Sequence, residues 1–341
     1  LKWLKLNYFY FLTILKMEPL TNFPNGIASF GVPVLGGGLP ATSGKFIFVN
    51  YGSGSDGNNG LSTKTPVKTI PQAYSLARTN KDDVIVLMGN STHVLTAMFT
   101  SSKNRVHFVG MDGAPLRKFG QNTKVQLGVT VLAADIATMK NTGVRNSFSN
   151  IKFINANTVA EGLYSVVEGG EYARYDHCEF YKSTDLDITG AAELVCNGDS
   201  AHFSNCTIGS NANAIAGAII RPCVMLTKAL AGVGKVSRDV LFESCQFWRW
   251  VGNTANAFVW ATSATDVERL MEFRNCLFNV TKKSTAAPAV AIGGTHALTA
   301  GEIILTGSTA ENGCTAFATQ TGIHSCLPTY AAGGGSGVQA T

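Results

Sequence analysis

Charge is scarce in this sequence: only 14% of its 341 residues are Asp, Glu, Lys or Arg, and no Lys/Arg cluster interleaved with aromatics runs through the body. A groove that tracks phosphates needs such a basic stripe, so nucleic acid is excluded as a partner. The formal net charge of +5 shrinks once Lys2, Lys5 and Lys16, all before Met17, are set aside, leaving 24 basic and 22 acidic residues. The eight cysteines include no C-x-x-C pair, and His296 and His324 stand alone without ligand spacing. No metal or other cofactor is therefore expected.

The opening LKWLKLNYFYFLTILK places two lysines before an apolar run, which imitates a secretory signal, but it lacks an A-x-A-like cleavage site. It is also too short for a membrane span, so no membrane partner is expected. Residues 1–16 are expected to be sequence upstream of a natural start at Met17, and they are left out of the fold reasoning.

Glycine, by contrast, is abundant at 36 residues, which suits many tight turns around buried strands and points to a β protein. From 17 to 44 the sequence MEPLTNFPNGIASFGVPVLGGGLPATSG mixes prolines and glycines without helical or strand period, and is expected to be an extended N-terminal arm. Phe23, Ile27, Phe30, Val32, Val34 and Leu35 are too apolar for a free linker, so the arm is a candidate attachment segment.

The body opens with an alternating strand over residues 45–50 and a turn-forming GSGSDGNNG run. A short helix follows, with Pro71 in its first turn and Ile70, Ala73, Tyr74 and Ala77 on one face; its role is to seal the end of a stack. Residues 84–88 then form a continuous apolar strand, and 106–110, 129–132 and 302–307 read as further strands.

A repeat organises the middle of the chain. FSNIKF at 148–153, YDHCEF at 175–180, FSNCTI at 203–208, FESCQF at 242–247 and FRNCLF at 273–278 share one register. Their fourth positions, Ile151, Cys178, Cys206, Cys245 and Cys276, are 27, 28, 39 and 31 residues apart, the period of stacked coils. Positions four and six point the same way along a strand, into the interior. The aromatic at position one shares that face only if a corner intervenes. Asn150, His177, Asn205, Ser244 and Asn275 hold the third position, and Asn is the non-Gly residue that best tolerates a left-handed corner, where stacked side chains could bond along the axis. Equivalent cysteines in successive coils read as small buried hydrophobes, and reduced thiols are favoured over disulfides. The solenoid is expected over 45–326, about ten coils, with 327–341 as a flexible tail.

The stretch FVNYGSGSDGNNGLSTKTPVKTIPQAYSLARTNKDDVIVLMGN at 48–90 resembles the opening segment of pectate-lyase-like β-helix proteins, with their Gly/Asp/Asn turn, T-P-x-K-T-I helix start and D-V-I-x-L strand in that order. The resemblance implies an all-β, right-handed, single-stranded parallel β-helix with a short N-terminal capping helix. From Met17, TNFPNGIASFGVPV followed by glycines is similar to the start of β-helix proteins encoded among the structural genes of tailed bacteriophages. That resemblance implies a virion component, made in the host cytoplasm: a capsid-decorating, head-fibre or tail-associated protein partnered by capsid or other virion proteins. A homotrimer follows only by analogy with spikes.

The same fold carries polysaccharide lyases and glycoside hydrolases, so fold does not settle function. A hydrolase needs two carboxylates projecting from adjacent coils. Asp185 and Asp187 in STDLDITG, near Arg174 or His177, are the candidates, and a turn explains them more cheaply. Asp56 and Asn58 begin a calcium-loop pattern, but Val67 stands where the closing Glu belongs, so the stretch reads as a turn. Trp248, Trp250 and Trp260 could form a sugar-stacking platform, or equally a protein interface. The sequence reads as a non-enzymatic virion protein with no catalytic residue assigned. The alternative is a carbohydrate-active or carbohydrate-binding β-helix whose partner is a host-surface glycan.

Overall fold

The computed structural model describes residues 27–29, 32–34, 42–89, 91–111, 123–128, 136–158, 162–183, 188–215, 219–228, 230, 235–251, 256–280, 290–294, 297–311, 318 and 322–325. Its contacts divide the chain into two units, Leu1–Ser43 and Gly44–Thr341.

The first unit corrects the extended arm. Ile27–Ser29 and Val32–Val34 pair antiparallel, with Ile27 opposite Val34 and Ser29 opposite Val32. Two residues separate the strands, the length of a tight hairpin turn, and the open outer edges of a two-stranded ribbon can accept Pro33. Phe23, Phe30 and Leu35 lie outside the described residues, as do the expected strand at 129–132 and the tail at 327–341.

The second unit is a right-handed parallel β-helix. Among the described residues its strands form three parallel sheets of ten, eight and seven strands, and the chain visits them in that order once per coil. One coil runs from Arg174–Asp176 in the ten-stranded sheet through Glu179–Lys182 in the eight-stranded sheet to Ala192–Cys196 in the seven-stranded sheet. Its neighbour repeats the path with His202–Ser204, in register.

The helix α1 (Ile70–Leu76) begins where Thr69 accepts a hydrogen bond from the Gln72 amide at 3.3 Å. Asp56 fixes that start by accepting from the Lys68 and Thr69 amides at 2.9 and 2.8 Å, which accounts for the D-x-N stretch as a turn. At the other end the Lys103 ammonium donates to the carbonyls of Tyr74, Ser75 and Ala77, satisfying groups a helix leaves open. Ile70 and Ala73 are buried, and Tyr74 packs on Phe99 and Phe108.

Position one of the repeat builds an interior file. The rings of Phe108, Phe148, Tyr175, Phe203, Phe242 and Phe273 stack 4.6–5.1 Å apart and within 14° of parallel. Position six lies beside it, with Phe180, Phe247 and Phe278 meeting that file tilted or edge-on. Parallel in-register pairing makes both files: a side chain at one height has its equivalent directly above.

Candidate functional site

The repeat residues occupy two columns between the ten- and eight-stranded sheets. Asn150, His177, Asn205, Ser244 and Asn275 have φ of 57°, 51°, 53°, 53° and 52°, so each turns the chain through the left-handed region. Their main-chain amides bond to carbonyls of the next coil, from Asn150 to Asp176 at 3.1 Å up to Asn275 to Thr306 at 2.8 Å. The main-chain ladder joins every one of these corners, and the Asn205 side chain adds a hydrogen bond to Asp176 in the neighbouring coil. The ladder explains why His177 and Ser244 can fill the same corner.

Ile151, Cys178, Cys206, Cys245 and Cys276 follow, all buried. The Cys178, Cys206, Cys245 and Cys276 thiols donate to the carbonyls of Phe148, Tyr175, Phe203 and Phe242 in the coil beneath at 3.3–3.6 Å. All six described cysteines are free. Burial pushes the Cys196 and Cys223 thiols up to about 12, so neither is a nucleophile at neutral pH. Two members of the column were missed in the sequence. Ser308 donates to the Phe273 carbonyl at 3.0 Å in the same way, and Gly307 supplies its corner at φ 60°; LTGSTA at 305–310 is thus a sixth unit in smaller residues. Thr123 takes the place before Ile151, since the Lys152 amide bonds to its carbonyl.

Beside these apolar columns, the interior also holds buried charged groups. Glu168 is fully buried, where it accepts from the Tyr175 hydroxyl at 2.6 Å, the Asn141 amide at 2.9 Å and the Gly170 main chain at 2.5 Å. Burial outweighs these donors and pushes its carboxyl up to about 7. A second group joins Glu193 to Arg249 and Arg221, all buried, and the Lys182 ammonium nearby donates to the Gly162 carbonyl at 2.6 Å. Alternation carried the signal: Lys182 and Arg249 each stand two residues beyond an inward Phe, Phe180 and Phe247.

A chemical site must lie on the outside, and the outer face of the ten-stranded sheet holds the richest set of titratable groups. Asp176 accepts from Ser204 at 2.6 Å and pairs with His177 at 3.0 Å. Burial works against its charge, yet these partners prevail and hold the carboxyl below its usual range. His202 Nε2 lies 3.3 Å from Glu243, an ion-pair distance without hydrogen-bond alignment, and Arg274 bridges Glu243 and Glu272. Round the corner a cleft of about 270 Å³ is lined by Glu171, Asp199, Lys235, Arg238 and Glu268, with Lys235 paired to Glu171 and Arg238 to both Asp199 and Glu268.

Asp185 and Asp187 lie outside the described residues. Of the residues expected near them, Arg174 stands exposed on the ten-stranded sheet and His177 lies three residues on, at the corner. The tryptophans do not share a platform: Trp248 and Trp250 belong to the eight-stranded sheet, while Trp260 belongs to the seven-stranded sheet, where it pairs with Met225 across the ladder.

The architecture is that of the pectin lyase-like right-handed parallel β-helix class. Pectate lyase Pel9A superposes with a TM-score of 0.53 at 14% identity, covering 83% of this chain and 70% of its own. Pectin methylesterase PemA from Erwinia chrysanthemi gives 0.52 at 12% identity over 88% and 94%, and a pectin methylesterase from Aspergillus niger gives 0.51 at 14% over 84% and 87%. Identities this low speak for the fold alone. No family model and no curated protein matches the sequence.

Proposed function

We propose that the chain is a non-enzymatic structural component of a bacteriophage virion, a rigid β-helix attached through residues 17–44. The observation that carries the non-enzymatic reading is the state of the outward carboxylates. Among the described residues, Asp82, Glu171, Glu179, Asp199, Asp239, Glu243, Glu268 and Glu272 each meet a Lys or Arg, Asp176 meets His177 and Ser204, and the buried Asp83 is held by Arg78. Asp56 and Asp266 cap main-chain amides. Acid–base hydrolysis needs one carboxyl kept protonated beside an open carboxylate, and the acid raised by burial, Glu168, is sealed inside. A body whose side chains are spent on stacking suits a mechanical role, and the similarity of the arm to phage structural proteins supplies the setting.

The test is made in the phage that encodes the chain. The full-length protein is expected to co-sediment with purified particles, and a chain lacking residues 17–44 to stay in the supernatant. A full-length protein absent from particles overturns the reading. So does release of reducing ends or unsaturated products from host polysaccharide that is lost on Asp185→Asn with Asp187→Asn.

A further inference from the structure

Parallel register brings three residues that are distant in the sequence into one line of contacts. His107 and Ser147 are partners across the ladder between Val106–Met111 and Ser147–Ser149, and both stand outward, since Phe108 and Phe148 beside them face the core. His107 Nδ1 lies 2.8 Å from the Ser147 hydroxyl, and its Nε2 lies 3.4 Å from Asp82, at the corner that leads into Asp83–Met88. Arg105, one coil on from Asp82, holds that carboxylate through Nε at 2.8 Å and through Nη2. These hydrogen bonds outweigh burial and keep the Asp82 carboxyl below its usual range. Hydroxyl, imidazole and carboxylate thus follow one another, with a guanidinium fixing the carboxylate.

This is the order that nucleophilic chemistry requires. A serine hydroxyl is a weak nucleophile until an adjacent base takes its proton, and the base must itself be oriented by a third group. With the ring proton on Nε2, toward Asp82, Nδ1 is left to accept from Ser147. The ring runs in the opposite sense to that of the serine-protease triad, with the same roles for its two nitrogens. The 3.4 Å step to Asp82 is long for a hydrogen bond, as such steps often are before substrate binds. On the far side of Ser147 the same row continues with Arg174, its ladder partner in the following coil. Arg174 is exposed and meets no carboxylate among the described residues, so a cation stands beside the hydroxyl, where a developing oxyanion needs a donor.

We infer that Ser147 is an acyl acceptor: a nucleophile, activated by His107 and with that imidazole oriented by Asp82, which takes the acyl group of a small carboxylic ester. Ser147 Oγ bonds to the ester carbonyl carbon as its proton passes to His107 Nδ1, and Arg174 faces the oxyanion. The carbon–oxygen bond to the alcohol then breaks, and the imidazolium returns the proton to the departing alkoxide. An ester on Ser147 and a free alcohol remain. Acylation at Ser147 goes beyond the structural reading without displacing it. The paired carboxylates argue against acid–base cleavage of glycosides, whereas this step needs no unpaired carboxylate, and one acylation per chain needs no turnover.

The probe is p-nitrophenyl acetate, added to the full-length chain both native and unfolded in urea. The native protein is expected to release a burst of about one nitrophenolate per chain, with an acetyl group on the peptide that carries Ser147 by mass spectrometry. Ser147→Ala should remove both. His107→Gln should slow acetylation about 10²–10⁴-fold, and Asp82→Asn should slow it as well, which a merely structural contact between Ser147 and His107 would not cause. Arg174→Gln, on the exposed face and outside that line of contacts, should slow it about 10²-fold with the unfolding midpoint unchanged. An acetyl group on a lysine or on His107, with Ser147 unmodified, overturns the inference. So does a Ser147 label that forms as fast in urea, or at full rate in His107→Gln. Nitrophenolate released well beyond one per chain, with Ser147 required, would meet the inference and overturn the non-enzymatic reading instead. Absence of the protein from particles overturns the virion reading and leaves acylation at Ser147 standing.

Discussion

The Cys245 thiol donates to the main-chain carbonyl of Phe203, one coil beneath, at 3.3 Å. Ser308 makes the same contact to Phe273 with a hydroxyl. Five members of the column, Cys178, Cys206, Cys245, Cys276 and Ser308, are thus small side chains that donate toward the coil below, while Ile151 fills the same column without donating. Cys245→Ser should keep the bond and cost about 1 kcal/mol, whereas Cys245→Leu overfills the site and should cost about 1–3 kcal/mol in urea unfolding.

The aromatic file predicts a steeper penalty. Phe203 stacks on Tyr175 at 4.8 Å and on Phe242 at 4.6 Å, with no exposure to solvent. Phe203→Ala should destabilise by about 3–5 kcal/mol, and Phe203→Leu by much less, as measured by the same unfolding midpoints.

Glu168 gives a signed pH dependence. Its carboxyl is raised in the fold from an ordinary 4.5 to about 7, so the folded state favours the protonated form. The stability this lends is complete below about 4.5 and is lost as the pH rises through about 7. On the order of 3 kcal/mol should disappear across that window, a slope that Glu168→Gln abolishes whatever its absolute stability. Denaturant titrations at pH 4.5, 6 and 8 measure it.

The thiols should be silent in the native protein. Cys178, Cys196, Cys206, Cys223, Cys245 and Cys276 are free and buried, so iodoacetamide without reductant should modify them only after unfolding. Mass spectrometry of native and urea-treated samples reads this out, and a disulfide among the six would contradict it.

The first corner was legible because Asn150, Asn205 and Asn275 advertise a left-handed turn. The second, between the seven- and ten-stranded sheets, was not. Arg105, Arg145, Tyr172, Ser200, Asp239 and Arg269 all have positive φ, yet none is Gly or Asn. The main-chain ladder holds them there, from Arg105 to Val144 and Arg145 to Glu171 onward, and a ladder leaves no mark on residue type. Likewise Arg238 reached Asp199 and Glu268 only through stacking of residues 39 and 30 positions apart. The paired outer charges thus became visible only with the coils in register.

The anomalous sulfur signal from a crystal of this protein tests the stacking most directly. The account predicts four peaks from Cys178, Cys206, Cys245 and Cys276 in a single file, neighbours about one strand spacing of 4.8 Å apart. Peaks dispersed over different layers, or fused at bonding distance, would contradict it.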